Sequence, residues 1–138
     1  MGTYYGVETT ATYMADSRPW LYGPHGTEPG ANPNITLDIS AFTPATHYPN
    51  GFIPSGTVLG KITATGLYGP YDDAAVDGTQ TARGLLFDAV QPVADTTKDI
   101  GSALFVHGFV RATKLPFQSG TGSIDANGKV DLPLIYWD

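Results

Sequence analysis

The residue types that most often bind metals or carry catalysis are few in this chain and widely spaced. Its three histidines, His25, His47 and His107, form neither a His-x-His nor a His-Glu-x-x-His motif, so no local spacing suits a metal. The chain has 0 cysteines, which excludes a disulfide, a thiolate nucleophile, a zinc–thiolate site and an iron–sulfur cluster. The sequence therefore predicts no metal site and no cofactor.

Carboxylates cluster in one short segment, where Asp72, Asp73 and Asp77 precede Gly78. The composition resembles a calcium-binding loop, but the alternating ligand spacing and the closing glutamate of such a loop are missing. Residues 125–128, Asp-Ala-Asn-Gly, lack them as well. Asp and Asn side chains bond readily to nearby backbone groups, so both segments are interpreted as turns, the second as a β-hairpin turn.

Two further catalytic motifs are absent from the sequence. There is no Gly-x-Ser-x-Gly segment, which would present a nucleophilic serine. Residues 56–62 contain Gly-Lys, but without the glycine spacing and the following Ser or Thr of a phosphate-binding loop. We therefore expect a protein that is not an enzyme.

Composition limits the class of protein further. The chain has 138 residues, the length of one domain, and 14% of them are charged, against about 25% in an average soluble protein. The 17 glycines and 11 prolines argue against a helical bundle, and a net charge of −6 argues against binding to nucleic acid. Without an apolar run of about 20 residues or signal-peptide features, we expect a soluble protein made in the cytoplasm, without a membrane partner.

The chain divides into two unequal regions. The first fifty residues hold six of the eleven prolines and seven aromatic residues but few aliphatic ones. Because proline removes a backbone donor and favours extended geometry, we expect residues 1–34 to form a long extended arm. Residues 35–138 are expected to form a β-rich domain that begins with an edge strand at 35–39, where apolar and polar residues alternate.

The second region has the pattern of short strands separated by glycine-bearing turns. Strands are predicted at 58–65, 84–90, 103–113 and 130–137, with at most one helical turn at 72–76. The strand at 103–113 is apolar on both faces, with Phe105 and Phe109 on the same side, so it needs cover from two sides. The predicted fold is mainly β, a small β-barrel-like or β-tulip domain with little helix.

Five aromatic residues of the predicted arm are candidates for binding: Tyr4, Tyr5, Tyr13, Trp20 and Tyr22. They could fill pockets on a protein partner, where Tyr and Trp are favoured, or form a sugar-binding platform. They could also fold back on the chain's own domain. A sugar platform places its aromatics on rigid strands or loops, whereas these lie in a proline-rich leader, so a protein partner is the favoured hypothesis.

Several segments, taken in order, resemble phage head decoration proteins of the lambda type. They are residues 53–63, 68–72, 77–86, with an acidic-Gly turn leading into Gly-Leu-Leu, 106–111, Leu115 with Pro116, and the closing apolar stretch 132–137. The resemblance covers roughly residues 35–138. The front end departs from the pattern, because it is much longer than in the short members of that family.

The resemblance implies a capsid cement protein without catalysis or cofactor. Such a protein forms a homotrimer on the outer surface of the virion, contacts the major capsid protein and stabilises the expanded coat. The arm, with its five aromatics, would then be the capsid-binding element, since extended segments often add a strand to a partner's sheet. The alternative function is a β-sandwich carbohydrate-binding or other adhesion module.

Overall fold

The computed structural model describes residues 18–28, 30–92 and 99–138. Its strands are β1 (Asn34–Leu37), β2 (Val58–Lys61), β3 (Tyr68–Pro70), β4 (Ala82–Leu86), β5 (Ile100–Phe105), β6 (Gly108–Val110) and β7 (Ile135–Trp137). The α-helices are α1 (Pro44–His47) and α2 (Ala126–Asp131), and two 3-10 helices span Ile39–Ala41 and Ala112–Lys114. The prediction of a mainly β fold with little helix is confirmed.

Five strands close into a barrel in the order β1-β3-β2-β4-β5. The β1 strand closes it, because it pairs in parallel with β3 and antiparallel with β5. The other three pairings are antiparallel. This confirms a barrel-like domain. The expectation of an edge strand at 35–39 was wrong, because β1 has a partner on each side.

The period-two pattern explains how β1 faces the core. Ile35 and Leu37 are buried, whereas Asn34 and Thr36 are exposed. The strand ends at Asp38, whose carboxylate accepts the backbone N–H of Ser40 at 3.1 Å and so caps the following 3-10 helix. The alternation therefore predicted β1 correctly as far as Leu37, after which Asp38 begins the cap.

The core consists of two clusters of buried side chains that share strand β4. Leu85 belongs to the cluster around Trp20 and Phe105, and Leu86 belongs to the cluster around Leu37 and Leu59. Leu85 and Leu86 are both 0% exposed, so β4 is covered on both faces. These two clusters explain why the strand carries a continuous apolar run.

A second, two-stranded sheet is formed by β6 and β7, which run parallel. The chain near residue 21 lies alongside β6, because Leu21 forms a bridge to Val110 and the backbone N–H of Tyr22 donates to the carbonyl oxygen of Phe109 at 3.1 Å. Residues 18–28, called the docked segment below, are thus held against the β-rich domain. The extended arm predicted for residues 1–34 therefore does not include these residues.

Two predicted elements near the C-terminus differ from the structure. The strand expected at 103–113 is divided at Val106 and His107 into β5, in the barrel, and β6, in the second sheet. The hairpin turn expected at 125–128 was wrong, because the Asp125 carboxylate accepts the backbone N–H of Gly128 at 2.7 Å and caps α2. Only the last part of the predicted strand 130–137 is a strand, β7.

Two shorter predictions also need correction. The strand predicted at 58–65 ends at Lys61, after which Gly66 returns the chain with its backbone N–H bonded to the carbonyl oxygen of Ile62 at 2.8 Å. Residues 72–76 form a turn and no helix. Within the described residues, no helix is long and apolar enough to cross a membrane.

Candidate interaction surface

The docked segment begins with two side chains that fix it to the domain. Trp20 is 0% exposed, and its ring meets the ring of Phe105 edge to face with centroids 5.1 Å apart. The Trp20 indole N–H donates to Ser55 Oγ at 3.3 Å. Arg18 donates from Nε to the carbonyl oxygen of Phe87 at 2.8 Å and forms an ion pair with Asp88. This burial corrects the expectation that Trp20 is exposed on an arm.

Three aromatic side chains, Tyr22, Phe109 and Tyr136, line one open cavity of about 320 Å³ and are together called the aromatic surface. They are 51%, 42% and 62% exposed respectively. The Phe109 and Tyr136 rings meet edge to face with centroids 5.8 Å apart, and the Arg111 guanidinium lies 4.4 Å above the Tyr22 ring. Large exposed apolar groups that are adjacent mark a contact surface.

The second sheet positions this surface. In the parallel register of β6 and β7, Phe109 is paired with Tyr136, so their side chains lie side by side on one face. Val110, the next residue along β6, is 0% exposed and belongs to the core. The two rings are therefore held on a rigid base, and the backbone bond from Tyr22 to Phe109 holds the third beside them.

Two histidines from distant parts of the chain border the aromatic surface. The ring centroids of His25 and His107 are 4.6 Å apart, and the His25 ring lies 5.4 Å from the Phe109 ring. Two glycines permit this approach: a Cβ on Gly26, where φ is +87°, would lie 1.7 Å from the His107 carbonyl oxygen, and one on Gly108 would lie 2.6 Å from the His25 carbonyl oxygen. Sequence spacing gave no signal of this contact.

One carboxylate lies near the two histidines. The pKa of Glu28 is lowered, first by the hydrogen bond from its own backbone N–H and further by the nearby His25 and His107. Across the described residues, no group of three or more His, Cys, Asp or Glu side chains is arranged to hold a metal ion. At the edge of the aromatic surface, these side chains can therefore offer a partner hydrogen bonds and, from Glu28, a negative charge.

The third histidine, His47, is a buried structural residue. Its Nδ1 accepts the backbone N–H of Thr43 at 2.9 Å, which requires that nitrogen to be unprotonated, and its Nε2 lies 2.9 Å from Thr121 Oγ1. Burial lowers the pKa of His47 from its ordinary value of 6.5. The neutral ring thus joins α1 to the loop at residue 121.

This arrangement makes stability depend on pH. Because the folded pKa of His47 lies below the unfolded value, its contribution is complete above about pH 6.5 and is lost as the pH falls toward the folded pKa. We expect the free energy of unfolding, measured by urea denaturation, to fall between about pH 7 and pH 5. His47→Gln should flatten that slope, whereas His25→Gln, at an exposed histidine, should keep it. An equal slope in His47→Gln would contradict this role.

Residues 72–78, called the acidic loop, form a turn that the carboxylates of Asp72 and Asp77 stabilise. Asp72 Oδ1 accepts the backbone N–H of Ala74 at 3.0 Å, and Asp77 Oδ1 accepts the backbone N–H of Thr79 at 3.0 Å and its hydroxyl at 2.6 Å. The bonds from Thr79 lower the pKa of Asp77. The turn interpretation of this segment is confirmed. The same loop presents Val76, which is 95% exposed.

Together, the closed barrel and the exposed aromatic rings define a small β-barrel protein whose candidate site is a surface that can bind a partner. The family model of the bacteriophage lambda head decoration protein D matches residues 39–132. The chain belongs to that family, a family of structural proteins of the phage head, and the resemblance noted in the sequence is confirmed. No curated protein and no solved structure matches the chain.

Of the five aromatics predicted to bind, the structure places Tyr22 on the aromatic surface and Trp20 in the core. Tyr4, Tyr5 and Tyr13 lie outside the described residues. Sequence reasoning missed Phe109 and Tyr136 as surface residues. The available signal was the alternation in β7, where the aromatic Tyr136 follows the buried Ile135.

Proposed function

We propose that the chain binds the outer surface of a phage head as a homotrimer, contacts the major capsid protein and stabilises the expanded coat lattice. The observation that carries this proposal is the family match over residues 39–132, which includes four of the five barrel strands. The protein acts by binding and without catalysis or a cofactor. It is made in the host cytoplasm and then joins the virion.

The coat-binding element of this proposal is the N-terminal segment with Tyr4, Tyr5, Tyr13 and the exposed Tyr22. Trp20 has a different role in it, because its buried indole holds the base of that segment on the domain. At up to about 3.6 Å per residue, residues 1–17 can reach about 60 Å from this anchor when fully extended. Each aromatic side chain can bury about 150–250 Å² in a partner's pocket.

A homotrimer strengthens attachment to the coat without any new kind of contact, because it carries three copies of the same segment. Once one segment is bound, the other two meet the coat at a high effective concentration, so three weak contacts give firm attachment. The first fifty residues carry one basic residue, Arg18, against four acidic ones, so apolar burial and not ion pairing is the expected source of affinity. Binding should therefore survive moderate salt.

Removal of residues 1–17 tests the coat-binding element. We expect the full chain to co-sediment with expanded heads and the truncated chain to bind at least about tenfold more weakly, because it loses aromatic anchors. The cut precedes Trp20, so circular dichroism and thermal melting should be close to those of the full chain.

A matched pair of full-length variants separates the aromatics from chain length. Replacing Tyr4, Tyr5 and Tyr13 by alanine should reproduce the loss of binding, whereas replacing Thr9, Thr10 and Thr12 by alanine should not. If the truncated chain decorates heads as tightly as the full chain, the contact lies on the folded domain instead. If neither chain binds expanded heads, the decoration function itself is contradicted.

A further inference from the structure

The three rings of the aromatic surface form one row across the docked segment, β6 and β7. The antiparallel bridge between the docked segment and β6 places Tyr22 opposite Phe109. The parallel register of β6 and β7 places Phe109 opposite Tyr136. Because neighbouring strands lie about 4.8 Å apart, the row is about 10 Å long. The adjacent strand residues Val110 and Ile135 are buried, so the row lies on the face that is turned away from the core.

We propose that Phe109 and Tyr136 contact the major capsid protein directly, so that the aromatic surface and residues 1–17 together form one coat-binding site. The partner of the aromatic surface is an uncharged, apolar patch of the coat. This inference rests on the proposed decoration function and extends it from the N-terminal segment to the folded domain. Tyr22 and Tyr136 lie outside the family-matched residues 39–132, so the match itself does not supply this contact.

Tyr22 connects the two parts of this site. It belongs to the N-terminal segment that is the proposed coat-binding element, and its ring also lines the cavity of the aromatic surface. The chain from Arg18 to Tyr22 can span at most about 15 Å, so residues 1–17 leave the domain close to the row of rings. A coat subunit bound by residues 1–17 therefore meets the aromatic surface at a high effective concentration.

The docked segment fixes the point from which residues 1–17 leave the domain. Arg18 Nε donates to the carbonyl oxygen of Phe87 at 2.8 Å, and the Arg18 guanidinium lies 4.2 Å from the centroid of the Phe87 ring. Arg18 also forms an ion pair with Asp88. Trp20, which follows closely, is 0% exposed. Because both parts of the site are joined to this rigid base, less freedom is lost when they bind one partner.

The exposed area of the row shows that it is one part of a larger contact. An aromatic side chain can bury about 150–250 Å², and Tyr22, Phe109 and Tyr136 are 51%, 42% and 62% exposed, so the row offers about 200–400 Å². A stable interface buries about 800 Å² on each partner. This surface alone is therefore too small to hold a second copy of the chain, whereas a coat subunit gains further contact area from residues 1–17.

The charges around the row favour an uncharged partner. The Arg111 guanidinium lies 4.4 Å from the centroid of the Tyr22 ring. The backbone N–H of Asp138 donates to the carbonyl oxygen of Val110 at 2.8 Å, which places Asp138 close to Arg111. Glu28 lies at the same border of the aromatic surface. Because charges of opposite sign offset each other there, neither an acidic nor a basic patch is selected, and apolar burial is the source of affinity.

Co-sedimentation with expanded heads tests the contact. A chain carrying both Phe109→Ala and Tyr136→Ala keeps residues 1–17, and we expect it to bind at least about tenfold more weakly than the wild-type chain, because it loses two aromatic anchors. The control chain carries Val76→Ala and Val130→Ala, at residues that are 95% and 79% exposed and do not line the cavity. It should bind as the wild type does. Circular dichroism establishes that each chain is folded.

Photo-cross-linking on the decorated head identifies what covers the aromatic surface. Tyr136 is replaced by p-benzoylphenylalanine, which keeps a ring at that position, and the decorated heads are irradiated. We expect mass spectrometry of the linked peptides to find position 136 joined to the coat protein. Links to a second copy of the chain, or to residues 1–17 of the same chain, in place of the coat would overturn the inference.

The wild-type chain separates a failure of the inference from a failure of the proposed function. If the wild type binds expanded heads and the double-alanine chain binds them as tightly, the inference is overturned and the decoration function stands. If the wild type does not bind expanded heads, the decoration function is contradicted and the inference falls with it. Weaker binding by the double-alanine chain, together with the link to the coat, supports both.

Discussion

Trp20→Ala should lower the free energy of unfolding by about 3–5 kcal/mol, the usual cost of removing a large aromatic side chain from a packed core. Trp20 is 0% exposed and meets Phe105 edge to face. Its indole N–H bonds to Ser55 Oγ, and the Ser55 hydroxyl in turn donates to the carbonyl oxygen of Phe87 at 2.7 Å. Removing the indole leaves a cavity and breaks this buried chain of bonds. Urea denaturation measures the loss.

Tyr22→Ala is the matched control, because it removes an aromatic ring two residues away that is 51% exposed. It should cost less than about 1 kcal/mol, as expected for a surface substitution. The same reasoning predicts that a chain lacking residues 1–34 does not fold, since it loses Trp20 as well as the start of β1 in the barrel. Equal losses for Trp20→Ala and Tyr22→Ala would show that the docked segment contributes nothing to the core.

The sequence predicted the fold class well, because local patterns determine it. Alternation in β1 and the continuous apolar run of β4 follow directly from which faces of these strands are covered. Glycine-bearing turns between short strands indicated a compact β domain, and the barrel is one. What these patterns leave open is which strands are neighbours, so β1 was expected at an edge and instead closes the barrel.

The candidate site was harder to predict, because it is built from contacts between distant residues. His25 and His107 meet only where the docked segment crosses β6, and no spacing encodes that crossing. Proline content suggested that residues up to 34 form an extended arm, yet Trp20 is buried against Phe105 and its indole bonds to Ser55. The Asn-Gly of residues 127–128 favoured a hairpin, but the cap at Asp125 stabilises a helix there.

Phe105→Ala should likewise cost about 3–5 kcal/mol in the free energy of unfolding. Its ring is 0% exposed, meets Trp20 edge to face and stacks on Phe87 with centroids 6.2 Å apart. It also packs against the backbone at Gly108, where a Cβ would lie 2.6 Å from the Phe105 ring. The substitution therefore weakens the contact of the docked segment as well as the barrel, and we expect a lower urea midpoint with an unchanged slope.

Phe109→Ala is the control that tests whether Phe105 and Phe109 face the core together. The sequence pattern placed Phe105 and Phe109 on the same face of one strand, but the break at Val106 and His107 leaves Phe109 42% exposed on the second sheet. Phe109→Ala should therefore cost less than about 1 kcal/mol. Combined with Trp20→Ala, Phe105→Ala should cost less than the two single losses together, by about 0.5–3 kcal/mol, because the two rings border one cavity. Strict additivity, or similar losses at Phe105 and Phe109, would contradict this arrangement of the core.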